Sequence, residues 1–507
     1  MTDSPRDTEG PDLAKQAMAG GRWSLVSQLG RQGVRLVFSF ILARLLGPEN
    51  FGIVALATVY VTFITLFLDT GFATAIVQRE TIDRTDIGSA MVMNLVLSCA
   101  LALLTFGLAP YISKFFNTSQ LTDVLRALAL IAVAKGLSAV PSALLMRHLR
   151  FRILALGEVA TGLAGGVIGV TMALAGADYW SLVAQSLSTE LLFAVVVLVV
   201  TRTVGDRPRW TNIVSMWRFS INAIGAHALS YSMRNADNLL VGRYLGVVPL
   251  AHYALSYRVM MLPLQSFTQA VNRVALPLYA RKQSDLGYVQ RNFLFTTRMV
   301  SLVTFPVMTA IAVSAPDLVP TLFGNAWRPA IVPMQLLALV GLRQSVQSLV
   351  QSVVIASGRT HWQFRMNLVW SVLAIAGFAI GVQWGINGVA GAYLAVDLLM
   401  APMTVFYAAK ILAFTARQYL ATLVPPAIGS LMLAFTYSAV RFGFTDAGST
   451  GTIAMAVGLP VAGLAYLLLL RLRWPELLSE GKSFGRRFVG LRSQPAEQSA
   501  TSHRHGG

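Results

Sequence analysis

Arg31 and Arg35 stand one helical turn apart in the apolar run "QLGRQGVRLVFSFILARLLG" over residues 28–47, and Gln28 and Gln32 share their face at helical spacing. A helix over about 25–45 would set Arg35 near the middle of a bilayer and Arg31 a turn nearer one surface. Lipid cannot solvate that stripe: an arginine at the centre of a membrane helix costs about 2.5–3.5 kcal/mol, so these guanidinium groups must meet a hydrated cavity or a counter-charge. The theme recurs downstream. Asn222, His227, Arg234, Asn235, Asp237 and Asn238 share one stretch, Arg258 lies in the next, and Arg343 follows with Gln344, Gln347 and Gln351. Acids able to answer these cations are Asp69, Glu158, Glu190, Asp237 and Asp397. Arg234 and Asp237, three residues apart, could neutralise each other, and Arg35 could pair with Asp69 from the adjacent helix; the competing reading is an arginine-lined midplane built for an anionic cargo. Arg22 and Arg44 sit near helix ends and are expected to snorkel. His227 reads as a hydrogen-bonded packing residue, and Met260 and Met261 as packing.

Positioning such groups takes membrane-spanning elements. The chain has 507 residues, 55% hydrophobic and only 12% charged, which fits an all-α polytopic membrane protein and not three soluble domains. Apolar runs of roughly 20 residues, enough to cross about 30 Å of hydrocarbon, recur from Arg22 to Leu472. Division at glycine, proline and charged clusters predicts about 14 transmembrane helices, the first over 22–46, the second over 50–77, the seventh over 213–245, the eighth over 248–279 and the last over 451–472. Loops carrying Arg79 and Arg84, Arg147 to Arg152, Arg202 to Arg209, Arg281 with Lys282, Arg359 with Arg365, and Lys410 with Arg417 fall on one side, which the positive-inside rule makes cytoplasmic. Both termini are then inside. Residues 1–20 lack the apolar core of a signal peptide and read as a disordered cytoplasmic tail. Residues 473–507 form a second cytoplasmic tail, basic and then of low complexity, whose charge could touch anionic lipid.

An internal repeat organises these helices. "GVRLVFSFILARLLGPENFGIVALA" from Gly33 aligns without gaps on "SMRNADNLLVGRYLGVVPLAHYALS" from Ser232, setting Arg35 on Arg234, Arg44 on Arg243, Gly47 on Gly246 and Ala55 on Ala254. A weaker echo pairs Phe151-Arg152 with Phe364-Arg365. Two six-helix lobes related by a parallel repeat follow, an N-lobe over 21–210 and a C-lobe over 211–412, with two further helices over 413–472. Internal duplication of this kind is a transporter signature, with the site where the repeats face each other.

Other classes of function fare poorly. The net charge of +18 suggests nucleic acid only until its location is seen, in short loops between apolar runs. The single cysteine, Cys99, lies within one such run and allows neither an intrachain disulfide nor a multi-cysteine metal site. With no metal-ligand spacing, nucleophile elbow or phosphate loop, neither an enzyme nor a cofactor is expected.

The runs "ARLLGPENFGIVALA", "DTGFATAIVQRE", "RNADNLLVGRYLG", "LAHYALSYRV" and "LFGNAWRPA", in this order and spacing, resemble the Wzx-like polysaccharide flippases of the multidrug/oligosaccharidyl-lipid/polysaccharide exporter superfamily. The resemblance covers nearly all of residues 20–470. It implies movement of an undecaprenyl-diphosphate-linked oligosaccharide from the inner to the outer leaflet of a bacterial cell membrane for surface or exopolysaccharide synthesis, by alternating access with a cationic central cavity. Arg31 and Arg35 would grip the diphosphate, with Arg234 and Arg258 as candidates from the other lobe and Gln28, Gln32, Asn235 and Asn238 lining the cavity. Guanidinium forks suit diphosphate oxygens. A polysaccharide polymerase and co-polymerase are further partners that the resemblance leaves room for. Relatives in the same superfamily expel cationic drugs by proton or sodium antiport, and for that alternative Asp237, Asp69 and Glu158 would be the coupling acids.

Overall fold

Segments that cross hydrocarbon must satisfy every backbone N–H and C=O internally, and this chain does so with helices. The computed structural model describes residues 10–69, 76, 82–203, 206–209, 225, 227–446 and 451–481; in the first helix side chains are described from Gly30 onward, those of Arg31, Arg35 and Asp69 excepted. The elements are α1 (Gly10–Asp69), α2 (Arg84–Phe116), α3 (Leu121–Arg147), α4 (Phe151–Leu174), α5 (Trp180–Thr201), α6 (Ala236–Tyr244) and α7 (Val247–Pro263). After a π turn at Leu264–Thr268 come α8 (Gln269–Arg281), α9 (Leu286–Phe323), a 3-10 turn at Asn325–Ala330, α10 (Ile331–Ala356), α11 (Thr360–Gly381), α12 (Gly385–Leu412), α13 (Ala416–Asp446) and α14 (Gly451–Arg473).

Among the described residues, ten helical stretches are long and apolar enough to cross a membrane, against the fourteen expected. Two of them, Gln32–Leu68 and Thr360–Leu412, each join a pair of expected helices. The expected seventh helix falls partly on residues 210–224, outside the described ones. The expected eighth is interrupted where Pro263 removes a backbone donor and the ladder widens into the π turn. Within α1 the break between the first two expected helices is at Gly47, whose φ of 70° and ψ of 176° a side chain would resist, with Pro48 preset to open the next helical turn.

By chain, the molecule divides into two compact units. The first comprises Met1–Val259, Val319–Leu337 and Asn367–Leu398, and the second Met260–Leu318, Ala338–Met366 and Leu399–Gly507. In the first unit the helices meet through small residues, as expected where lipid removes the hydrophobic drive and backbones must approach closely. The buried face of α4 carries Gly157, Thr161, Gly165, Gly166 and Gly169. A Cβ at Gly166 would collide with the Phe38 ring of α1, and one at Gly165 with the Thr189 hydroxyl of α5. In the second unit a core of Val271, Phe293, Val350, Val353 and Ile411 is closed by Phe414 and Tyr419, whose rings stack on Phe293.

Basic loops gather as the charge pattern predicts. In the first unit the Asp206 amide donates to the Arg84 carbonyl (3.0 Å), the Arg209 amide to the Ser89 hydroxyl (3.0 Å), and Arg147 Nη1 to the Ile76 carbonyl (3.1 Å). Three arginine-bearing loops therefore share one end. There Asp83 caps α2, accepting from the Asp86 amide in a capping box. The Thr85 hydroxyl, then that amide, holds the Asp83 carboxyl below its ordinary range, so the cap stays ionised at neutral pH. In the second unit Arg359 and Lys410 both lie over the Trp362 ring, at 4.7 and 5.7 Å.

Candidate functional site

Helix rise fixes the depth of the arginine stripe. About 18 Å of helix separates Arg35 from the break at Gly47, half of a bilayer crossing or a little more. The backbone of Arg31 and Arg35 is helical, whereas their side chains, and those of Gln28 and Asp69, lie outside the described residues. Gln32 is half-buried.

One turn beyond Arg35, Ser39 is buried, and Nη1 of Arg258 on α7 donates a short hydrogen bond to its hydroxyl. The Arg258 guanidinium also lies 5.5 Å from the centre of the Phe51 ring, past the Gly47 break on α1. Thus α7 delivers a cation to the helix that carries Arg31 and Arg35, all within the first unit. α7 starts at a close backbone approach to α1: a Cβ at Gly52 would strike the Val247 carbonyl oxygen. The glycine of "GPENFG" answers to that contact.

Arg234 and Asp237 do not pair. Asn235 leaves the helix (φ −110°, ψ 14°) and α6 starts at Ala236, so the two residues are not on one regular helix and their spacing no longer brings them together. Arg234 is exposed, with Nε donating to the Ser230 carbonyl at 3.3 Å. Asp237 is 1% exposed and accepts from the Tyr253 hydroxyl (2.9 Å) and the Asn238 amide (2.8 Å). Asn235 donates through Nδ2 to the Tyr231 carbonyl (2.9 Å), and the Asn238 amide group reaches the Asn235 oxygen at 3.4 Å. These two asparagines brace the restart of the helix. Glu158, on α4, is half-buried and engaged, and so is Arg343 on α10. His227 is exposed, not packed as its sequence context implied. Asn222 lies outside them. Met260 is buried as expected.

Two features escaped sequence reasoning. Lys135, near the middle of α3, faces Glu190 of α5 at 3.7 Å, with about a quarter of each side chain exposed. A lone lysine in "LIAVAKGLSAV" was the signal. Removing Lys135 should strand a carboxylate at membrane depth: we expect Lys135→Met to destabilise the protein by about 1–2 kcal/mol, less than the 3–5 kcal/mol of a sealed pair, and Glu190→Gln in the same chain to restore it. Thermal unfolding of the detergent-solubilised variants measures this, and a double variant no better than the single one would deny the pairing.

The second is the role of "LFGNAWRPA". Trp327 is fully buried in the 3-10 turn, and its Nε1 donates to the Ala43 carbonyl at 3.0 Å. His252 Nε2 is 3.1 Å from the Ala326 carbonyl, and the Ser256 hydroxyl donates to the Ala330 carbonyl at 2.9 Å. Arg44, at the helix end where snorkelling was expected, is exposed and donates to the Thr321 carbonyl at 2.7 Å. The motif is thus a brace tying α1 and α7 together beyond the arginine stripe.

Comparison with known proteins adds three findings. A family model described as "Polysaccharide biosynthesis protein" matches residues 41–332. The chain is 26% identical over 423 residues to the lipopolysaccharide biosynthesis protein WzxC of Escherichia coli, covering 82% of this chain and 85% of that one. It is 22% identical over 486 residues to the teichuronic acid biosynthesis protein TuaB of Bacillus subtilis, covering 93% and 98%. Among solved structures it superposes on the lipid II flippase MurJ in an inward closed conformation with a TM-score of 0.72 at 12% identity, over 90% of this chain and 99% of that one. An inward-facing multidrug resistance transporter of the MATE family, in the MOP superfamily, gives 0.59 at 14%, over 77% and 98%. At these identities the two structures establish the fold and nothing finer.

Proposed function

Because this chain belongs to the polysaccharide biosynthesis protein family, we propose that it is a flippase that carries an undecaprenyl-diphosphate-linked oligosaccharide from the inner to the outer leaflet of a bacterial inner membrane by alternating access. The observation that carries this reading is Arg258 bonded to Ser39, one turn from Arg35 in sequence: it brings a cation from α7 to the helix that bears Arg31 and Arg35, and several guanidinium forks together suit a diphosphate. Arg31 and Arg35 take the diphosphate, Arg258 joins them, and Arg234, Gln28, Gln32, Asn235 and Asn238 line the path. The sugar occupies the hydrated cavity while the polyprenyl tail stays in lipid.

The same reading retains fourteen spans in two parallel six-helix lobes, over 21–210 and 211–412, followed by two helices over 413–472, with both tails cytoplasmic. Its support is a series of left-handed residues that close or break helices. Gly47, Asn117, Leu149, Asp178 and Arg202 have positive φ, and so do Gly246, Gly324, Gly358, Gly385 and Ala413, each roughly 200 residues further on. A repeat that has lost nearly all sequence identity would still need its helices to end at corresponding places.

The alternative, a proton- or sodium-coupled antiporter of cationic drugs, calls for a carboxylate open to water, and Asp237, closed off by Tyr253, does not offer one. Depletion of the protein separates the two. We expect a lipid-linked oligosaccharide to accumulate in the inner leaflet, surface glycan to fall, and drug susceptibility to stay unchanged. Drug hypersensitivity with normal surface glycan would reverse the choice.

A further inference from the structure

We propose that the second unit holds a binding site for the phosphodiester headgroup of a membrane phospholipid, in a cavity of about 370 Å³ where the start of α13 and the end of α14 meet the side of α9. That volume is in the range of small-molecule sites, roughly 300–1,000 Å³. It is lined by Arg298 of α9, Ala421 and Pro425 of α13, Arg473 at the end of α14, and Trp474 and Glu476 just after it. The site is separate from the arginine stripe and stands whether or not the transport reading does.

Three observations carry it. First, its cations have donors to spare. Arg298 Nη1 meets the Glu480 carboxylate at 3.7 Å, beyond hydrogen-bond length, and its Nε is buried with no hydrogen-bond partner among the described residues. About a third of the Arg298 side chain is exposed where it lines the cavity, so an oxyanion there can take up its positive charge. Arg473 is exposed beside it. Second, the depth is right. α14 is a candidate membrane span that ends at Arg473, and Trp474 follows at the level where tryptophan marks the edge of the hydrocarbon. Third, apolar side chains lead away from the cavity: Leu420 and Val424 alternate with its lining residues on α13, and Leu468 and Leu472 precede Arg473 on α14, all four exposed. A free phosphate would use the arginines and ignore these tracks, whereas a diacyl lipid uses both. Glu476 supplies an acceptor for a hydroxyl or amine on the headgroup.

The test is thermal unfolding of the full-length chain in detergent micelles with added phosphatidylglycerol or phosphatidylethanolamine. Diacylglycerol, which lacks the phosphate, and inorganic phosphate, which lacks the tails, are the two controls. The phospholipids should raise the unfolding midpoint and the controls should not. Arg473→Gln should weaken the phospholipid effect about tenfold in concentration, the loss of one charge-assisted contact. Ala421→Trp, which fills the cavity without touching a charge, should abolish the effect, and native mass spectrometry should find one fewer bound phospholipid in that variant. An unchanged response in Arg473→Gln, an equal shift with diacylglycerol, or a shift with inorganic phosphate alone would each overturn the proposal.

Discussion

Arg258→Gln is expected to slow translocation by about 10- to 100-fold while leaving the amount of protein in the membrane unchanged. A hydrogen bond to a charged group contributes about 1.5–3 kcal/mol, and each 1.4 kcal/mol is a factor of ten in rate if the contact tightens as the cargo crosses. Glutamine keeps an uncharged polar end but is shorter than arginine, so it removes the charge, the fork and the Nη1 contact with Ser39 together. Arg258→Lys should fall between, since an ammonium is a point charge that cannot bridge two diphosphate oxygens. Ser39→Ala is the control. It deletes the tether seen on Nη1 but leaves the guanidinium, and should cost far less than the glutamine variant. Outer-leaflet glycan measured per unit of protein in membrane vesicles decides the matter. Wild-type transport by Arg258→Gln would reduce Arg258 to a cation packed over Phe51.

Trp327→Ala should have the largest effect on folding. The side chain is wholly buried, with ring centres 5.4 Å from Phe51 and 5.6 Å from His252, both edge-on, and it satisfies the Ala43 carbonyl. Truncating a buried tryptophan costs about 3–5 kcal/mol, a large share of the 5–15 kcal/mol that keeps a typical domain folded. Trp327→Phe keeps most of the burial and loses the hydrogen bond, for about 1 kcal/mol. Size-exclusion profiles of detergent extracts should therefore show aggregate for alanine and a sharp, slightly heat-sensitive peak for phenylalanine. A sharp alanine peak would mean that the turn at Asn325–Ala330 is not what holds α1 to α7.

Much of this molecule could be read from the order of its residues, and the exceptions share one cause. The Gly47-Pro48 break was legible because glycine and proline act on the backbone locally. That the chain is built of membrane-length apolar helices was legible because hydrocarbon thickness sets a minimum length, but their number and ends were not: ten such stretches stand among the described residues where fourteen were expected. Nor was the brace legible, since "LFGNAWRPA" acquires its meaning only when Ala43, His252 and Ser256 arrive from elsewhere in the chain. Lys135 and Glu190 look like isolated blemishes in two apolar helices until packing sets them face to face. The pairing of Arg234 with Asp237, one of two readings the sequence left open, required an unbroken helix. Asn235 interrupts it, and no periodicity argument survives an interruption at the residue in question. Of the arginine candidates, Arg258 could be named from the sequence, but its tether to Ser39, on the helix that bears Arg31 and Arg35, came only with tertiary structure.

One consequence follows from α7. The chain passes out of the first unit at Val259, immediately after Arg258, and within two turns reaches Pro263 and the widened ladder at Leu264–Thr268. Proline and π turns are where helices bend with least resistance. The Arg258 guanidinium is therefore carried on a stretch of α7 that lies close to the part of the helix that bends most easily.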